Sequence, residues 1–134
     1  MMPEHKDLLL GLLRALQRAH RKAQPLIASP QLLDLEVGED AMDVICMQFL
    51  AAGESLKRLD RMVPGLLEKR YPHIDWKGAM GFRDVIAHQY FDLDIEQVLV
   101  ICDQSLPSLI LAVEDLFGVP PISWTGLRAS QERL

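Results

Sequence analysis

The chain has 134 residues, enough for one domain with a sizeable core. Apolar residues make up 49% of it and charged residues 25%, which excludes a disordered chain. Its net charge of -5 excludes a protein whose whole surface attracts nucleic acid.

Lys6 to Ala23 reads as a first helix. Leu9, Leu12, Leu13, Leu16 and Ala19 or His20 recur at helical spacing, and Pro25 is expected to end the run. Glu4, Asp7 and Arg14 break up the apolar start, so neither a signal peptide nor a membrane span is expected there. Ser29-Pro30 opens a connection with a short helical turn at Gln31 to Leu35, and Gly38 is expected to break the chain.

Glu39 to Arg61 reads as a second, central helix. Glu39, Asp40 and Asp43 suit the positive end of its dipole. Ala41, Val44, Ile45, Phe49, Ala52, Leu56 and Leu59 form its apolar stripe, widened by Cys46, Met47 and Leu50. A glycine within a helix costs about 1 kcal/mol relative to alanine. Gly53 therefore marks close approach of another backbone, and Glu54 is placed either to meet a cation across that contact or to face water. Cys46 and Cys102 are the only cysteines; among apolar neighbours they read as small buried hydrophobes in a reducing, cytoplasmic setting.

Pro64 to Arg70 forms a short third helix, and Tyr71 to Asp75 a loop. Asp75 is a good N-cap for a helix from Trp76 to about Tyr90. Gly78, Ala79 and Gly81 in its first turns predict a closely packed neighbour, from this chain or a second copy. Asp94, with Gln97 at the capping-box position, opens a last helix to about Phe117, which Pro107 should kink or split. Gly118 and Pro120-Pro121 end it, and residues 120–134 form a short tail in which Trp124 is able to dock back. No strand alternation, metal-ligand cluster, phosphate loop or repeat is present, so the fold class is an all-α antiparallel bundle of four or five helices in one domain over residues 1–134.

The chemistry concentrates in Gly81 to Tyr90. Arg83 and His88 sit about 140° apart around one helix and do not stack. Asp84 and His88 form an i,i+4 pair able to touch, which would orient the imidazole for acid–base work. A solvated face with weak pairing would carry the same residues. From Lys57 to His88 the bases Lys57, Arg58, Arg61, Lys69, Arg70, Lys77 and Arg83 outnumber the acids Asp60, Glu68, Asp75 and Asp84, seven against four, or +3; the other seven bases and fifteen acids give -8. That favours a local phosphate site, with Lys77 and the loop residue His73 as further contacts; solvated helix faces would carry the same charges.

Arg83-Asp84-Val85-Ile86-Ala87-His88-Gln89-Tyr90 resembles the Arg-x4-His-x-Tyr motif of HepT-like HEPN proteins. Ala52-Gly53-Glu54-Ser55 resembles that family's Ile-Gly-Glu-Ala segment. Pro72-His73-Ile74-Asp75-Trp76 with Gly81-Phe82-Arg83, and Leu106-Pro107-Ser108-Leu109, resemble two further family runs. Asp84 stands where the family often has Asn, and Ala52 where Ile is usual.

The resemblance implies an all-helical homodimer with Arg83 and His88 at the interface cleft; Asp84, where the sequence departs from the family, is placed by its own chemistry to orient His88. It implies a ribonuclease toxin, needing no metal or cofactor, that cleaves RNA through the substrate's own 2′-hydroxyl. It implies a nucleotidyltransferase antitoxin of the MNT type, able to silence the toxin by adenylylating Tyr90. The competing expectation is a non-catalytic docking or substrate-binding subunit of a nucleotidyltransferase.

Overall fold

The computed structural model describes residues 3–118. Trp124 and the tail at 120–134 lie outside the described residues. Six helices and two 3-10 turns make up the described chain, with no strand among them. They are α1 (Pro3–Ala28), α2 (Glu36–Met62), α3 (Leu66–Arg70), α4 (Trp76–Gln89), α5 (Ile95–Gln104) and α6 (Leu106–Phe117), with the 3-10 turns at Pro30–Asp34 and Tyr90–Asp92.

α2 is central, as its broad apolar stripe requires. It packs on α1 along one side and on α4 along the other, and α1 also packs against α5 and α6. The core runs through Leu9, Leu12 and Leu16 of α1, Ile45, Leu56 and Leu59 of α2, and Leu106 and Leu116 of α6, each 2% exposed or less. Burying one such side chain contributes roughly 1.5–3 kcal/mol. Cys46 and Cys102 lie in this core; burial pushes their thiols up to about 11 and about 12.

Three expectations change. Pro25 does not end α1, which runs on to Ala28. Proline removes one backbone donor near the end of the helix, but Leu26 in the next position is buried, and its packing holds the last turn in helical geometry. Gly38 does not break the chain either. It lies in the first turn of α2, where a methyl group would sit 1.9 Å from the Leu32 carbonyl oxygen, so it is the glycine on which the preceding turn rests. Met47 does not widen the core stripe; it is 60% exposed, and Met42 is buried instead. In the first turns of α4, Ala79 and Met80 pack partly buried against the core. A methyl group at Gly78 would strike the Asp75 carboxylate that caps α4, whereas at Gly81 it would meet nothing within 4 Å.

The expected split at Pro107 is present. Pro107 stands in the first turn of α6, where its missing N–H costs nothing, and α5 and α6 meet at 47°. No single helix is long and apolar enough to cross a membrane; α5 and α6 together pass that test by length and composition only, across the bend.

Candidate functional site

α4 begins where sequence chemistry places it. The Asp75 side chain accepts the Gly78 N–H at 2.9 Å, and Trp76, 1% exposed, donates its indole N–H to the Tyr71 carbonyl at 3.0 Å. Ile86 is fully buried, and Phe82 meets Phe49 edge to face with ring centres 5.2 Å apart. Trp76, Phe82 and Ile86 fix the rotation of α4 about its axis, and that rotation decides where Arg83 and His88 go.

Arg83 faces α2. It lies on Gly53 so closely that a methyl group there would be 2.3 Å from Arg83 Cβ. This is the close backbone approach expected of Gly53. Glu54 also meets its cation, with Arg83 Nε 3.5 Å from Glu54 Oε2. That Nε is buried without a well-aligned acceptor, so the pair is an ion contact rather than a full hydrogen bond. Arg83 Nη1 donates to Asp84 Oδ1 at 3.2 Å.

The expected Asp84–His88 pair is not formed. Lys57 Nζ takes both Asp84 oxygens, at 2.7 and 2.9 Å. Hydrogen bonding to Lys57 first, and then to Arg83, holds the Asp84 carboxyl below the usual carboxylate range. The ammonium wins because it is a full charge within reach across the α2–α4 contact, whereas the imidazole one turn along α4 offers a weaker donor. Lys57 is the site residue that the sequence reading left out. Its position, four residues beyond Gly53 on the same face of α2, was the available signal. Glu54 also has Arg61 at 3.9 Å, so three cations and two carboxylates form one partly exposed network.

His88 is exposed in the last turn of α4 and makes no hydrogen bond or ion pair among the described residues. Helical spacing puts it on the face of Gly81 and Val85, about 140° from Arg83. His73 and Lys77 are exposed at the opposite end of α4, and eleven residues of helix, about 16 Å, separate Lys77 from His88. The chain therefore does not gather His73, Lys77, Arg83 and His88 into one pocket. Among the described residues no three His, Cys, Asp or Glu side chains converge as metal ligands.

Tyr90 opens the 3-10 turn after α4 and bends back to α2, where its hydroxyl donates to Asp43. That bond, then burial, pushes the phenol up to about 12; burial and the 2.6 Å bond to Asp115 push Tyr71 up to about 12. These are the only two tyrosines. Both gain from folding in the neutral form. Their contribution is complete below the unfolded pKa of about 10 and is lost as pH rises through the folded value. A titration followed at 295 nm is expected to show no tyrosinate in the folded protein at pH 10, where the chain in denaturant is half ionised. A normal step near pH 10 in the native protein would refute both contacts.

A cleft of about 700 Å³ opens between α4 and the α5–α6 bend. Phe49, Ala52 and Leu56 floor it, Gly78, Gly81 and Val85 form one wall, and Ser105 and Ser108 the other. Of the predicted contacts His73 alone lines it; Lys77, Arg83 and His88 do not, and no other Lys or Arg does, so it is not a phosphate pocket by itself.

A family model described as "Ribonuclease HepT-like" matches residues 16–116. The chain is 32% identical over 66 residues to "Putative RNase MJ1216" of Methanocaldococcus jannaschii, covering 49% of this chain and 50% of that protein. It is 31% identical over 64 residues to "Putative RNase MJ0125" of the same organism, covering 48% and 50%. The chain thus spans about half the length of the curated relatives it matches. No solved structure matches it.

Proposed function

The chain belongs to the HepT-like ribonuclease family, and from that premise we propose that it is an endoribonuclease toxin whose site is completed by a second copy. The observation that carries the reading is the state of His88: exposed, unpartnered among the described residues, and turned away from Arg83 on the same helix. A two-fold axis beside α4 would bring His88 of one copy toward Arg83 of the other.

In the proposed reaction the substrate's 2′-oxygen attacks the adjacent phosphorus and the bond to the 5′-oxygen breaks. This leaves a 2′,3′-cyclic phosphate and a free 5′-hydroxyl. One His88 takes the 2′-proton, and His88 of the second copy, protonated, gives a proton to the 5′-oxygen. Arg83 holds the non-bridging oxygens, where charge builds. Its network with Lys57 and Arg61 leaves one net positive charge, so an RNA phosphate competes with Glu54 and Asp84 for the guanidinium rather than meeting a free cation.

Tyr90 is the proposed control point. A nucleotidyltransferase antitoxin would transfer AMP from ATP to its oxygen, releasing pyrophosphate and placing phosphate charge two residues from His88. Tyr90 would first have to give up its bond to Asp43.

The prior engagement of Arg83 by two carboxylates favours one alternative, a non-catalytic subunit that docks on a nucleotidyltransferase. One assay separates the two. The purified chain, in excess EDTA, is incubated with an RNA and with the DNA of the same sequence. The ribonuclease reading expects RNA cleavage with cyclic-phosphate ends and intact DNA, because DNA lacks the attacking hydroxyl. Intact RNA would leave the docking reading standing. For Tyr90, intact mass after incubation with the transferase and ATP is expected to rise by one adenylyl group in wild type and not in Tyr90→Phe.

A further inference from the structure

We propose that the end of the bundle bearing the Tyr90–Asp92 turn is a docking surface for a protein whose contacting face is basic around an apolar pocket. The inference does not depend on the reading of Arg83 and His88. Phe91 is 96% exposed. Tyr90 stands edge-on to it, with ring centres 5.5 Å apart. The Tyr90–Asp43 hydrogen bond ties the turn to α2, and the exposed Met47 lies one helical turn beyond Asp43 on the same face of α2. An aromatic anchor, a thioether and a phenol thus share one solvent-facing patch. Exposed apolar groups rimmed by polar ones are the usual mark of an interaction site.

The rim has one sign. Glu39, Asp40 and Asp43 on α2, Asp92 at the end of the turn, and Asp94 and Glu96 beyond it, are all exposed. No Lys or Arg occurs between Lys22 and Lys57, nor between Arg83 and Gly118. Asp94 caps α5 and Asp43 accepts from Tyr90, but none of the six pairs with a cation among the described residues.

This charge selects the occupant. RNA is repelled. A second copy meeting the patch through the same patch would set six carboxylates against six. A protein with Lys or Arg around an apolar hollow gains on both counts: the rim steers the encounter, and Phe91 fills the hollow.

The test places a photo-crosslinking benzoylphenylalanine at position 91 of the full chain in its source cells. The crosslinked peptide is identified by mass spectrometry, and the purified partner is then titrated calorimetrically. The expected adduct is a protein segment flanked by Lys or Arg. Phe91→Ala and the double variant Asp40→Lys/Asp92→Lys, both surface changes checked by circular dichroism, are each expected to weaken binding by about tenfold or more. Wild-type binding should also weaken at about 0.5 M salt. Adducts to RNA, to a second copy or to residues 119–134 of the chain itself would overturn the proposal. So would the lack of any protein adduct, or affinities indifferent to both variants. RNA cleavage plays no part in these readouts, so failure of the ribonuclease reading stays distinguishable.

Discussion

His88→Ala is expected to lower the rate of RNA cleavage by roughly a hundred- to ten-thousand-fold, the usual worth of a positioned acid or base. Its melting temperature should stay at the wild-type value, because His88 is exposed and holds no hydrogen bond among the described residues. A lost activity with an unchanged fold is the signature of chemistry. Arg83→Ala is a less clean probe. It would strip Glu54 of a cation and open a gap beside Gly53, so stability would fall together with activity.

The two variants become decisive when mixed. If the site takes Arg83 from one copy and His88 from the other, a dimer of one His88→Ala chain and one Arg83→Ala chain keeps one intact pair. Co-expression of the two chains should then give cleavage above that of either variant alone and below wild type, because one of the two histidines is still missing. Mixed dimers that form and cleave no faster than the variants alone would mean that Arg83 of one copy does not work with His88 of the other. Unchanged cleavage by His88→Ala alone would remove the imidazole from the mechanism altogether.

The second large effect is a pair of glycine substitutions with opposite signs. Alanine is worth about 1 kcal/mol over glycine inside a helix. At Gly81, where a methyl group meets nothing within 4 Å, that gain should appear in full, and Gly81→Ala is expected to raise the melting temperature. At Gly53 the same methyl group would lie 2.3 Å from Arg83 Cβ and 2.9 Å from Cγ. Both atoms sit at or beside the backbone of α4, so no flexible side-chain tip can move aside. Forcing such an overpacked contact costs about 1–3 kcal/mol, which exceeds the propensity gain. Gly53→Ala should therefore melt several degrees below wild type and separate Arg83 from Glu54. Equal melting temperatures for the two variants would mean that α2 and α4 do not touch at Gly53. Gly81→Ala carries further information, since a stabilised chain with a weakened dimer would locate the second copy on that face.

The parts of the fold legible in advance were those written locally. Asp75 and Asp94 cap as their positions require, Pro107 splits the last helix, and Gly53 reports a close contact through the cost it imposes on its own helix. The misreadings came from treating local signals as absolute. Pro25 and Gly38 looked like breaks, but buried Leu26 and the tight approach of Leu32 outweigh backbone preference. At the site, helical spacing correctly separated Arg83 from His88 and wrongly paired Asp84 with His88. An i,i+4 relation says that two groups can meet; it says nothing of a stronger rival. Lys57 is that rival, and it becomes visible only when two segments 27 residues apart are laid side by side.

The helix bearing Arg83 and His88 leans mainly on α2, while α1 and α2 brace each other and α1 also carries α5 and α6. Trp76 and Ile86 are its only fully sunken anchors. Its amides should accordingly exchange with solvent deuterium well before those of α1 and α2, as a unit that unzips on its own while the rest stays shut. Any binder that grips this helix would then work against a local opening free energy and not the global one, and it would halt deuterium uptake there first.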